Sequence, residues 1–513
     1  MINTKKLRRS SHPVMFFIYL SLLVVLVSGI ASALNMQTTY DKLTTIAGEV
    51  ETTTVSVNSL LNLDGLKFLI TSAYDNLINF LPFGSLLIAS IAFGIALKSG
   101  FLKSLCSKIT KKIPKFVIVF IFSLLCIVSS IDNNVGYVLL IPFGAVLFMS
   151  MNRNPIGGVA LSFSSIAAGH GLGLFVTYLD YSLTSYTEAS AKLLDGEYKL
   201  LQSGNLIFII VATLLVSAIC TFICEKIVTR KLGRNINDEE DEFVLEEEKE
   251  KKGLIAALIA TIVVLIPIVL MIIPVNGDSF FGLLLDKSQD VYSKMLFSQD
   301  ALLTKNLVGI VSFIFALQGF VFGVVSGTIR KIRDMVNFAT DYLKTIGGVF
   351  VLVFFAAQLC SLVQESNIGV VVTGMLSNLI SASNFSFIPL VLIIFIFTLL
   401  VNILLPGSIS KWSIIAPNIM PTVMHANISP EFAQLVFRAG DSITNVITPL
   451  FVYFVIFIGF VEVFLKNKND FSIRGCYKLI MPYFLGILGI WLVMIIAWYV
   501  IGLPIGPGIY PSL

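Results

Sequence analysis

The chain has 513 residues, 56% hydrophobic and 13% charged, with a net charge of +4 and a mean hydropathy of +0.91. Soluble domains carry about 25% charged residues, so a water-solvated globule is excluded, and repeated apolar runs of about 20 residues make this an all-α polytopic membrane protein. The small charge, spread over short loops, speaks against nucleic acid as a partner; with no GxxxxGK[ST] phosphate loop, any uphill transport must draw on an ion gradient.

The chain opens with "KKLRR" followed by an apolar stretch at 14–33. That stretch ends in the small residues of a signal peptide, but its length suits an uncleaved first crossing better. Lysines and arginines then recur in alternate loops, at 98–115, 225–235, 329–335 and 465–478. The positive-inside rule puts these in the cytoplasm, and puts 35–65, 180–204 and 276–304 outside. Crossings that satisfy this fall near 14–33, 79–97, 155–178, 205–224, 254–274, 306–326, 346–364, 431–463 and 479–501. The nine spans predict a cytoplasmic N-terminus and an outer C-terminus. The acidic run 237–252 reads as a solvated linker between an N-terminal half (1–236) and a C-terminal half (253–513). Cys220 and Cys224 share one helical face without a nearby histidine, which fits packing rather than metal ligation.

Two apolar regions remain, 116–150 and 386–424, and each must begin and end on one side. They predict two re-entrant helical hairpins of opposite orientation. At a constant offset of 275 residues Pro142 matches Pro417, Pro155 matches Pro430 and Tyr137 matches Trp412. Inverted repeats with interrupted helices mark secondary transporters, whose substrate and ion sites lie near the midplane. Irregular backbone survives at that depth only inside protein or beside a wet cavity.

The most polar cluster of the second half, "RAGDSITNVITP" (438–449), interrupts the 431–463 run, which as one helix would extend about 50 Å. Pro449 should break it and bare carbonyls around Asn445. A buried aspartate here needs a reason. Asp441 and Arg438, three apart, can form a structural ion pair. Alternatively, Asp441, Asn445 and Asn402 offer hard oxygens to a sodium ion while Arg438 faces an anionic substrate. Ser408 and Ser410 at the second hairpin tip, Asp180 after a Gly-rich stretch, and Pro449 join the substrate side. Trp412 supplies a ring on which an aromatic moiety can stack. His170 can titrate near neutral pH or bond a neighbour. With three histidines in the chain, no nucleophile–base pair or metal cluster supports an enzyme.

The chain also resembles the p-aminobenzoyl-glutamate transporter (AbgT) family. The resemblance is carried by "WYVIGLPIGPGIYP" (498–511), "HPVMFFIYL", "FFAAQLCSLVQESNIG" (354–369), and "SKWSIIAPNIMP" followed by "RAGDSITNVITP". It implies a homodimer in the bacterial inner membrane, with nine spans and two opposed hairpins per protomer. The family's functional positions fall on Asp180, Asn402, Trp412, Arg438, Asp441, Asn445 and Pro449. The implied cargo is an anionic aromatic substrate such as p-aminobenzoyl-glutamate, with sulfonamide-like antimetabolites for some members and Na+ or H+ as coupling ion. Three departures stand out: "PGSISKW" in place of the family's Ser-Ala tip, "IDNN" at 131–134, and His170 in place of a small residue. A sodium-coupled dicarboxylate or fatty-acid transporter on a similar scaffold is the alternative expectation.

Overall fold

The computed structural model describes residues 12–43, 50–131, 133–233, 246–275, 280–298, 300–383, 385–465 and 470–513. The "KKLRR" start, Asp132 and residues 237–245 of the acidic run lie outside the described residues. In chain order the elements are α1 (Pro13–Ala33), β1 (Gln37–Leu43), β2 (Val50–Ser56), α2 (Leu63–Thr71), α3 (Ala73–Ile78), α4 (Leu81–Lys98), α5 (Phe101–Lys112), α6 (Lys115–Val128), α7 (Asn133–Val135) and α8 (Ile141–Ser150). The first half continues with α9 (Pro155–Ala168), α10 (Tyr178–Ala191), α11 (Leu206–Ile223) and α12 (Thr229–Leu232). There follow α13 (Glu247–Met271), α14 (Tyr292–Phe297), α15 (Leu302–Ser326), α16 (Ile332–Glu365), α17 (Ile368–Ser381) and α18 (Phe387–Leu404). The last four are α19 (Ser408–His425), α20 (Pro430–Thr444), α21 (Phe454–Val463) and α22 (Ile473–Ile501).

Among the described residues, eight helices are long and apolar enough to cross a membrane. Seven of them, α1, α4, α11 with α12, α13, α15, α16 and α22, are continuous crossings, and the eighth, α18, is a hairpin arm. The other two crossings are broken helices, α9–α10 and α20–α21, which brings the path to the nine expected from charge. Side-chain contacts fix the two ends of the bundle. His12 at the start of α1 reaches Glu462 at the end of α21 at 3.6 Å, and Thr328 donates to the Ser99 carbonyl at 3.0 Å. At the opposite end Asn58 reaches the Glu365 carbonyl at 3.0 Å, and Ser429 donates to the Tyr510 carbonyl at 2.7 Å.

Three parts of the sequence reading change. The Thr-rich loop that follows α1 holds a β-hairpin, β1 pairing antiparallel with β2. Its β-branched residues favour the pleated backbone, and Asn418 of α19 clasps the Asp41 backbone, donating to its carbonyl at 2.8 Å. The crossing expected at 346–364 extends back to Ile332, and a helix not foreseen, α17, lies between it and the second hairpin. The crossing expected at 155–178 stops at Ala168.

Both leftover regions are helix–break–helix hairpins. The first has α6 and α8 as arms, joined by a 3-10 turn, α7 and a π-helical segment at Gly136–Leu140. At 14 residues α6 is about 21 Å long, too short for a hydrocarbon core of roughly 30 Å. The second has α18 and α19, each of 18 residues, meeting at 405–407. The first hairpin's base packs beside the basic α5, where Thr110 donates to the Ser150 carbonyl at 3.4 Å. The base of the second lies beside the β-hairpin, at the other end of the bundle.

The 275-residue offset holds in the elements themselves. It separates Asn133 from Ser408, where the returning arms begin, and Ser150 from His425, where they end. It also separates Pro155 from Pro430, each the first residue of a broken crossing. Each proline sits where its missing N–H costs nothing, behind a capping side chain: Asn154 accepts from the Ile156 amide at 3.0 Å and Ser429 from the Phe432 amide at 3.3 Å. In the first half the returning arm and α9 touch backbone to backbone. A Cβ on Gly158 would lie 2.1 Å from the Gly144 carbonyl oxygen.

Candidate substrate and ion site

Both crossings break at the level of the hairpin tips. After α20 the backbone leaves the helix at Asn445, four residues before Pro449, as the clash of a proline ring with the preceding turn requires. After α9 it leaves at Gly169 and re-enters at Tyr178; Gly171 there has φ +78°, a left-handed conformation that glycine adopts without strain. The tips close on these breaks. From the first, Ser130 donates to the Gly169 and Leu172 carbonyls at 2.8 and 3.1 Å, and Asn134 accepts from the Tyr453 hydroxyl at 2.7 Å. From the second, Ser408 Oγ lies 2.7 Å from His170 Nε2, while the Ile403 carbonyl accepts from Thr448 at 2.8 Å.

Asp441, 2% exposed, sits at the centre. Its Oδ1 accepts from the Lys411 ammonium, and its Oδ2 from the Ser408 hydroxyl. His170 Nε2 stands 3.9 Å from Oδ2. Lys411, fully buried, also donates to Asn402 Oδ1. The Asn402 amide in turn donates to the Asp441 carbonyl at 2.6 Å, and to Thr444 Oγ1 and Asn445 Oδ1, each at 2.9 Å. Asp441, Asn402 and Asn445 are thus brought together, with an ammonium bridging two of their oxygens.

Arg438 belongs to a second cluster. Its guanidinium donates to Asp180 Oδ1 and to the Gly171 carbonyl. The other oxygen of Asp180 holds the start of α10, accepting from the Thr177 amide at 2.6 Å and hydroxyl at 2.8 Å. The structural ion pair weighed as one of two readings for Arg438 and Asp441 is therefore not formed: each turns to a different partner, one on the first half's broken crossing and one on the second hairpin. Trp412 is fully buried. Its ring lies 4.4 Å from that of Phe437, and its indole N–H donates to Thr187 at 2.8 Å. In this state it packs against protein. Ser410 is exposed and Pro449 half-buried; Ser410 donates to the Gly407 carbonyl at 3.4 Å.

Lys411 is the site residue that sequence reasoning passed over. A lysine within "SISKWSII" carried the same signal as Asp441, since an ionisable group at membrane depth is expensive and calls for a partner. Lys411, Arg438 and Asp441 have no charged counterparts in the first half. At the 275-residue offset Asn402, Lys411, Arg438 and Asp441 correspond to Ile127, Gly136, Phe163 and Ile166. Asn445 does have a polar counterpart, His170, and that side chain reaches across to Ser408.

A bundle of crossings with two hairpins closing on broken helices, and buried charges at their meeting point, is the build of a polytopic membrane transporter. The chain belongs to the AbgT putative transporter family, whose model matches residues 8–513. It is 26% identical over 502 residues to the p-aminobenzoyl-glutamate transport protein of Escherichia coli (strain K12), spanning 98% of this chain and 94% of that one. Among solved structures, the Alcanivorax borkumensis YdaH transporter is 28% identical, covering 97% of this chain and 100% of that chain at a TM-score of 0.49. Neisseria gonorrhoeae MtrF, described as illuminating a class of antimetabolite efflux pumps, is also 28% identical, with 97% of each chain covered and a TM-score of 0.48.

Proposed function

We propose that this transporter moves p-aminobenzoyl-glutamate-like anions, with related antimetabolites such as sulfonamides as further cargo, by alternating access coupled to a gradient of Na+ or H+. The observation that carries the reading is the second hairpin tip closed over a buried carboxylate at a helix break. Discontinuous helices supply the unpaired backbone groups and side chains that hold ions and anions near the midplane of secondary transporters. The coupling cation is taken by Asp441 with the amide oxygens of Asn402 and Asn445. Ser408, Ser410 and Arg438 serve the substrate as the tip opens, Trp412 its aromatic ring, and the break at Pro449 gives the tip room. Asp180, bound to Arg438, gates the approach of the two broken crossings.

The chain works as a homodimer of such protomers in the bacterial inner membrane, N-terminus in the cytoplasm and C-terminus outside. The basic ends of its crossings support that orientation. Competition separates this reading from a dicarboxylate or fatty-acid transporter. In proteoliposomes, unlabelled p-aminobenzoyl-glutamate should suppress uptake of the labelled compound, while tenfold more succinate or laurate should leave it within a factor of two. Equal suppression by succinate would favour the dicarboxylate reading.

A further inference from the structure

We propose that Lys411 is a tethered cation that holds the coupling site in this state and, once a transported cation displaces it, becomes the anchor for the substrate carboxylate. The inference rests on the reading of Asp441 as the cation site.

Three observations carry it. The ammonium of Lys411 bonds both Asp441 Oδ1 and Asn402 Oδ1, two of the oxygens an entering cation needs. Arg438, the other buried cation of the site, is matched by Asp180 and the Gly171 carbonyl and so leaves Asp441 to Lys411. Finally, Lys411 stands in the first turn of α19, three residues beyond the tip residue Ser408, and meets Asp441 of α20 across the tip.

Charge balance then links the two cargoes. With Asp180, Asp441, Lys411 and Arg438 ionised and His170, whose Nε2 faces Asp441 Oδ2 at 3.9 Å, uncharged, the buried site is neutral, so a further cation at Asp441 leaves one positive charge in excess. Burying an unmatched charge is costly. The displaced ammonium therefore needs an anion, and the carboxylate of an incoming substrate supplies it. Cation and anion enter together because neither is accommodated alone. The four-carbon stem of lysine, a mobile point charge, suits such an exchange better than a rigid guanidinium fork.

The test measures binding of p-aminobenzoyl-glutamate and of its uncharged dimethyl ester to the full-length protein in detergent. Each is measured with and without sodium, at pH 5.5 and pH 7.5, in wild type, Lys411→Met, Lys411→Arg and Asp441→Asn. Wild type should prefer the anion to the ester by about tenfold or more, the scale of one charge-assisted hydrogen bond, and only when sodium or protons are supplied. Lys411→Met should lose both the preference and its cation dependence, while Lys411→Arg keeps part of each. Asp441→Asn frees the ammonium permanently, so it should prefer the anion whatever the cation. A Lys411→Met protein that still prefers the anion in a cation-dependent way would overturn the proposal. If that variant does not fold, an Asp441→Asn protein that shows no preference would overturn it as well. Cation dependence surviving in Asp441→Asn would instead refute the assignment of Asp441 on which the proposal stands.

Discussion

Under the proposed mechanism, replacing Asp441 with asparagine should abolish gradient-driven accumulation of p-aminobenzoyl-glutamate, a fall of at least a hundredfold to the passive leak. The amide keeps an oxygen for Lys411 and Ser408 but loses the charge that a coupling cation must meet. It also leaves the Lys411 ammonium, fully buried, without a counter-ion. Breaking a buried pair from one side costs about 3–5 kcal/mol, so the variant should also melt at lower temperature. Asp441→Asn combined with Lys411→Met removes both charges and should recover most of the melting temperature without recovering uptake. Melting curves and filter uptake on the same preparations separate the two effects. Accumulation at the wild-type level in the single variant would remove Asp441 from the coupling machinery.

Arg438→Ala has the second large effect, this time on the fold. Its guanidinium ties α20 of the second half to Asp180 at the start of α10 and to the unwound backbone at Gly171 in the first. Truncation leaves the Asp180 carboxylate, 5% exposed, unmatched, again at a cost of about 3–5 kcal/mol, and strips the Gly171 carbonyl of its donor. A pronounced fall in melting temperature is expected, largely reversed by pairing Arg438→Met with Asp180→Asn. An Arg438→Ala protein as stable as wild type would show that this pair is not what clasps the two broken crossings together.

The path of the chain was legible because lipid leaves few alternatives. Apolar length sets the crossings, the alternation of basic and weakly basic loops sets which loops share an end of the bundle, and two apolar regions that could not be placed as crossings had to be hairpins. Pro449 marked the end of α20 through the one donor that proline lacks, while Pro155 and Pro430 were legible only as matched positions of the repeat. What stayed hidden was pairing between distant segments. Arg438 and Asp441 stand about 60° apart around one helix axis, close enough to suggest a local pair. Their real partners come from Asp180 and Lys411, and no local pattern encodes which of several buried charges will face each other. Short elements were missed as well. The β-hairpin and α17 dock on neighbouring elements, through Asn418 on the Asp41 backbone and Asn378 on the Thr39 carbonyl at 2.8 Å, contacts that no local pattern announces.

Uptake of labelled p-aminobenzoyl-glutamate into proteoliposomes, with sodium and pH gradients imposed one at a time, addresses the proposed mechanism most directly. Saturable accumulation above the equilibrium level should follow one of the two gradients, vanish when an ionophore collapses it, and stoichiometrically draw that cation across the membrane. Flux that merely equilibrates the label, indifferent to both gradients, would contradict coupled transport through the Asp441 site.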